Sequence, residues 1–170
     1  LAFVPVFTHL LKSDEHTLLT SWSDRLSTAL VAGTGLVLLA TLTTARYLVP
    51  IVFGSAYTPV IHNLPILISG LVPLGIAATA RTLTIVHLRA RLALEASALR
   101  LIVFWLLAPL MIARWESLGA CFSALVAVLV YSVYLTRRIR RVDAYRFRRA
   151  WVAAFLLVPF LGLLWIPTVK

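Results

Sequence analysis

The chain has 170 residues, of which 61% are hydrophobic and only 13% charged, yet it carries a net charge of +10. A soluble domain holds about 25% charged residues, and a nucleic-acid reader needs its basic residues on one face of a soluble body. Here the basic residues cap apolar spans instead, so neither a soluble fold nor a nucleic-acid partner is expected, and the lone Cys121 excludes an intrachain disulfide and a cysteine-based metal site.

The expected fold is all-α: a polytopic transmembrane bundle of about five full spans plus the end of a preceding helix. Residues 1–11 (LAFVPVFTHLL) are too short to cross and read as that helix end. They lack a basic leader region, so they do not read as a signal peptide. Without an initiator Met and with an apolar first residue, the chain is read as part of a longer protein. A polar connection follows from Lys12 to Arg25, and the first span covers 26–50. From Tyr47 to Ala80 no Lys, Arg, Asp or Glu occurs, a run too long for one crossing of a ~30 Å core. Pro50, Gly54 and Pro59 supply the breakers, so a turn is placed there and the second span covers 59–80. The remaining spans are 92–113, 117–136 and 150–167, with a basic connection at 137–149.

Basic residues gather in every second connection, the bias that orients multispanning proteins. With the 137–149 connection in the cytoplasm, its Arg137, Arg138, Arg140, Arg141, Arg146, Arg148 and Arg149 join Arg81, Arg89, Arg91, Lys12 and Arg25 on the inner side. Arg114 and Lys170 fall outside, and Arg46 lies near the outer end of span one. Tyr47, Tyr57, Trp115 and Trp165 sit at outer ends; Trp22, Tyr131, Tyr134, Tyr145 and Trp151 sit at or near inner ones. This belt of aromatic residues fits the same threading. The location expected is a bacterial cytoplasmic membrane, multi-pass, with membrane lipids as partners. Arg137, Arg138, Arg140 and Arg141 set topology and meet lipid heads. Ile139, Val142 and Tyr145, three residues apart, suggest a partly helical segment lying on the membrane surface.

Few residues can carry chemistry. Glu95 and Arg100 are charged groups within a span, where charge is costly and faces a cavity or a partner. Glu95 can pair with Arg91 one turn earlier. Arg100 lies about 12 Å past the start of its span and has no intrahelical acid. It either snorkels to the surface or faces a cavity, where its planar donor fork would suit a phosphate or pyrophosphate. Arg81 ends span two and Arg46 nearly ends span one, so both read as interfacial anchors bordering the substrate path. The candidate path residues are thus Arg100, Arg81, Arg46 and Glu95. His62 reads as a structural histidine. His9 and Asp14 form a His-x4-Asp pattern, which in some acyltransferases pairs a base with its orienting carboxylate, or is simply a polar turn. Pro59, Pro65 and Pro73 interrupt span two, and Pro109 and Pro159 interrupt spans three and five; Pro65, Pro73 and Pro109 are the candidate helix kinks. Ala29/Gly33 and Ala120/Ala124 permit close helix packing. No metal and no cofactor is expected.

The succession of segments resembles the second half of polysaccharide and lipid-linked oligosaccharide flippases, within the multidrug/oligosaccharidyl-lipid/polysaccharide exporter superfamily. Pro5-Val-Phe-Thr8 is similar to a helix end of that family, and Leu48-Val-Pro-Ile-Val-Phe-Gly54-Ser-Ala-Tyr57 to its outer turn. Ile112 through Ala124 looks like the small-residue stretch that opens a late helix, ahead of an Arg cluster. The likeness covers residues 1 to 141. Ser117, Cys121 and Phe122 depart from the family's small residues there. Span five would be an extra helix that some members carry.

The resemblance implies a two-lobe helical transporter that moves a polyprenyl-pyrophosphate-linked glycan outward by alternating access, beside glycan polymerase machinery. It implies no enzyme activity. Two other functions fit the residues in part. A cation-coupled drug or metabolite exporter would hold acidic residues deep in its helices. An integral-membrane acyl- or glycosyltransferase would need more than His9 and Asp14.

Overall fold

The computed structural model describes residues 4–13, 16–142, 145 and 147–155. All regular structure among the described residues is helical: α1 (Val4–Lys12), α2 (His16–Phe53), a 3-10 turn (Ser55–Tyr57), α3 (Thr58–Ser69), α4 (Leu71–Val86) and α5 (Ala90–Arg140). A further helical stretch runs from 148 to 155. Three helical segments are long and apolar enough to cross a membrane: Thr17–Ala45, Asn63–Val86 and Ala90–Arg140.

α2 starts well before the expected span, because nothing between His16 and Ala32 breaks a helix. Its first turns bury Leu19, Ser23 and Ser27 while Trp22 and Arg25 stay exposed, so the stretch expected as a polar connection is an amphipathic helical entry. The buried hydroxyls cost little: Ser23 donates to the Thr20 carbonyl at 2.8 Å and Ser27 to the Ser23 carbonyl at 2.7 Å. Pro50 is carried inside the last turn of α2. The chain then turns at Gly54, whose φ of +86° is a conformation open to glycine.

α3 and α4 are separated only at Gly70. Pro59 lies in the first turn of α3, where no backbone bond is lost. Pro73 lies in the first turn of α4 and withholds the N–H that would bond the Ser69 carbonyl, which ends α3 there. Gly70 itself keeps helical dihedrals (φ −62°, ψ −19°), so the interruption is a bend and not a reversal. Pro65 sits within α3. α4 continues to Val86, past the expected end at Ala80, so Arg81 lies inside the helix. Val72, Ile76, Ala77, Thr79, Ala80 and Leu83 are all buried, so α4 is apolar around nearly its whole circumference. A helix of that kind belongs at the centre, and α4 indeed packs between α2, α1 and α5.

α5 spans 51 residues, about 76 Å if straight. It is not straight. Glu116 adopts φ 46° and ψ −122°, and the helix reverses there into two legs, 90–115 and 117–140. The legs lie side by side: Tyr134 on the second donates to Glu95 Oε2 on the first at 3.0 Å. At the turn, Gly119 is pressed against the Met111 backbone so closely that a Cβ would overlap the Met111 carbonyl and stand 2.8 Å from the Ile112 nitrogen. Asn63 Nδ2 donates to Ser117 Oγ at 2.8 Å and fastens α3 to the same turn. Pro109 is accommodated in the first leg without leaving helical dihedrals.

A non-glycine residue at positive φ stores about 1–3 kcal/mol of strain. Glu116→Gly should therefore raise the midpoint of thermal unfolding of the detergent-solubilised protein by about 2–12 °C; an unchanged or lower midpoint would show that Glu116 is not strained.

The Ala29/Gly33 seam is not found where it was expected. Nothing lies within 4 Å of a Cβ at Gly33, and Ala29 is exposed with it, so this pair faces outward. Gly75 provides the close contact instead, its Cβ position 3.5 Å from the Leu30 backbone. The Ile139, Val142 and Tyr145 stripe also turns inward: Ile139, Tyr145 and Phe147 are buried in the same core as α4. His87, just past α4, and the Tyr145 hydroxyl share a 2.7 Å hydrogen bond.

Large apolar side chains line the outside of the bundle, including Ile51 at 81% exposure and Trp105 at 68%. Together with the three long apolar helices, this surface belongs to a membrane protein. The expected span 150–167 lies mostly outside the described residues, as does Asp14.

Candidate substrate groove

Arg81 and Arg100 come together in one groove of about 420 Å³ between α4 and the two legs of α5. Its walls are Ser97, Phe104, Ala124 and Tyr131, among others. Each basic residue reaches the groove from a different element. Arg81 lies about one and a half turns before the end of α4. Arg100 lies some 15 Å along the first leg of α5, and the small Ala124 and Ala127 on the second leg leave the space open.

Neither guanidinium has an acidic partner among the described residues. The nearest acid on the first leg, Glu95, is engaged elsewhere: Arg91 Nε stands 3.2 Å from Glu95 Oε1, and the Tyr134 hydroxyl takes Oε2. Glu95 thus forms the ion pair expected from its spacing, and it neutralises no charge in the groove. Arg138 Nε donates to Tyr134 Oη at 3.2 Å, and its guanidinium carbon lies 5.4 Å from the Tyr134 ring centroid. Arg91, Glu95, Tyr134 and Arg138 therefore form a clasp across the open ends of the two legs. Arg81 and Arg100 are both exposed residues, and two cations without an acidic partner in one groove, beside Ser97 and Tyr131, raise the local potential and suit an anion. Their planar donor forks match phosphate oxygens in a way that a single point charge would not.

Arg46 is carried near the end of α2, and its side chain lies outside the described residues. His9 is exposed on α1, away from any described acidic partner. Among the described residues no three His, Cys, Asp or Glu side chains gather as metal ligands. Sequence reasoning missed Tyr131 and Tyr134, which read as interfacial aromatics. Their three-residue spacing on one helix was the available signal, since it turns both toward the facing leg.

No family model, curated protein or solved structure matches this chain.

Proposed function

We propose that this chain is part of a lipid-linked oligosaccharide flippase, in which the groove bearing Arg81 and Arg100 meets the pyrophosphate of the cargo. The observation that supports this reading is the pair of guanidiniums without an acidic partner that line one groove, Arg81 and Arg100. A neutral or cationic cargo would gain nothing from them, whereas a polyprenyl pyrophosphate offers several anionic oxygens beside an apolar tail. The proposed threading has five spans in the cytoplasmic membrane of a bacterium, the two legs of α5 as separate crossings, and the 137–149 connection inside. Transport would proceed by alternating access together with an N-terminal lobe.

Expressed as the whole protein, it should restore polysaccharide export in a strain lacking its own flippase. Topology is tested in a Cys121→Ser background carrying a single cysteine at Arg140. That cysteine should resist a membrane-impermeant thiol reagent in intact cells and react once the cells are opened. Labelling from outside would invert the threading and remove the reading.

One group favours a second reading, a cation-coupled exporter of the same superfamily. Asp24 Oδ1 is buried without a hydrogen-bond partner, while Oδ2 faces Arg149 Nε at 3.8 Å. A carboxylate held between α2 and the 148–155 helix could bind a proton or sodium ion during transport. Dye efflux driven by a proton or sodium gradient, lost in Asp24→Asn, would support it over the flippase.

A further inference from the structure

A second set of guanidiniums lies where α5 ends. One cavity of about 820 Å³ is lined by Arg137, Arg140 and Arg148, together with Phe147, Trp151 and Phe155. A second, of about 580 Å³, is lined by Arg137, Arg138 and Arg141, with Leu99, Leu129 and Val130. Val133 and Arg137 belong to both, so a single ridge divides two neighbouring slots.

Both slots have the same polarity. Guanidiniums close one end, and apolar side chains about two turns deeper, some 12 Å away, form the other. A soluble anion would use the cationic rim and leave the apolar depth wet. A protein segment would have to match charge and apolar surface twice, on either side of one ridge. A lipid does both at once, with its phosphate at the rim and its chains in the depth. The cations are also available. Arg149 is taken by Asp24, but Arg137, Arg140, Arg141 and Arg148 meet no acidic side chain among the described residues.

We propose that the two slots hold one anionic phospholipid with two phosphates, a diphosphatidylglycerol, seated astride Arg137. Each phosphate meets the guanidiniums of one slot, and the chains run along Leu99 and Leu129 on one side and Trp151 and Phe155 on the other. Basic recesses between membrane helices bind such headgroups by this chemistry. The inference rests on the chain lying in a bilayer and not on the nature of the cargo.

Native mass spectrometry of the delipidated whole protein tests it, with diphosphatidylglycerol, phosphatidylglycerol, phosphatidylcholine and inorganic phosphate as probes. Diphosphatidylglycerol should bind one to one and survive activation that strips phosphatidylcholine. Arg137→Gln should weaken it about fivefold, and Arg137→Gln with Arg148→Gln roughly 30-fold. Arg81→Gln with Arg100→Gln should leave it unchanged, which separates this site from the substrate groove. Equal retention of phosphatidylcholine, or undiminished binding by the Arg137/Arg148 pair, would overturn the proposal. So would loss of the lipid in the Arg81/Arg100 pair. Phosphatidylglycerol binding as tightly as diphosphatidylglycerol would defeat the two-slot occupant, and inorganic phosphate competing at equal occupancy would defeat the lipid altogether. Should the glutamine pair fail to fold, Arg148→Gln alone, at an exposed position, carries the same comparison.

Discussion

Gly119→Ala is expected to lower the midpoint of thermal unfolding in detergent by roughly 10 °C, while Gly33→Ala leaves it unchanged or slightly raised. The two residues are both glycines inside long apolar helices, and propensity alone would favour alanine at each by about 1 kcal/mol. Their surroundings decide the sign. At Gly33 the added methyl meets nothing within 4 Å. At Gly119 it would overlap the Met111 carbonyl, and the opposing atoms are backbone, which cannot swing aside as a side chain can. Inserting a methyl into filled space costs about 1–3 kcal/mol, and this site belongs at the upper end, equal to about 6–12 °C for a chain of this size. The turn at Glu116 and the bond between Asn63 and Ser117 lie beside it, so the loss should spread to α3. If both alanine variants melt together, the two legs of α5 do not meet at Gly119.

Replacing Arg81 and Arg100 together by alanine should abolish glycan export at normal protein abundance. A charge-assisted hydrogen bond contributes about 1.5–3 kcal/mol, so each single alanine variant should lose about ten- to 100-fold in apparent affinity for a pyrophosphate lipid. The double variant should lose more than either, because the two groups share one recess. Lysine at both positions restores charge without the planar fork and should recover export only in part. Export unchanged in the double alanine variant, with the protein present in the membrane, would leave the groove without its proposed role.

Several features of the fold follow from the sequence alone. The Arg114-Trp-Glu116 triplet cannot rest in an apolar layer, so a reversal between Ala113 and Ser117 follows from charge alone, and the backbone turns at Glu116. Arg91 and Glu95 are one turn apart, and helical geometry brings them together whatever the tertiary fold. Other features depend on rotation about a helix axis, which an almost uniformly apolar helix does not reveal. Ala29 and Gly33 look as fit for packing as Gly75 does, yet only Gly75 is turned toward a neighbour. The stripe through Ile139 and Tyr145 has the spacing of a surface-lying helix. Amphipathic spacing alone cannot tell a bilayer from a protein core, and here the partner is α4. The meeting of Arg81 with Arg100 is a third case. They lie on different helices across a turn at Leu88, itself at φ 54°, and only the docking of α4 against α5 joins them.

The reversal at Glu116 also makes α5 a two-pronged staple whose free tips are both cationic, Arg89 and Arg91 on one and Arg137 to Arg141 on the other. Prongs joined so closely would enter a bilayer as one event, and neither tip could be dragged through without the other. The energetic penalty for threading the staple upside down is therefore the combined cost of both tips. A single well-made bend can thus guard the handedness of insertion for the whole polypeptide.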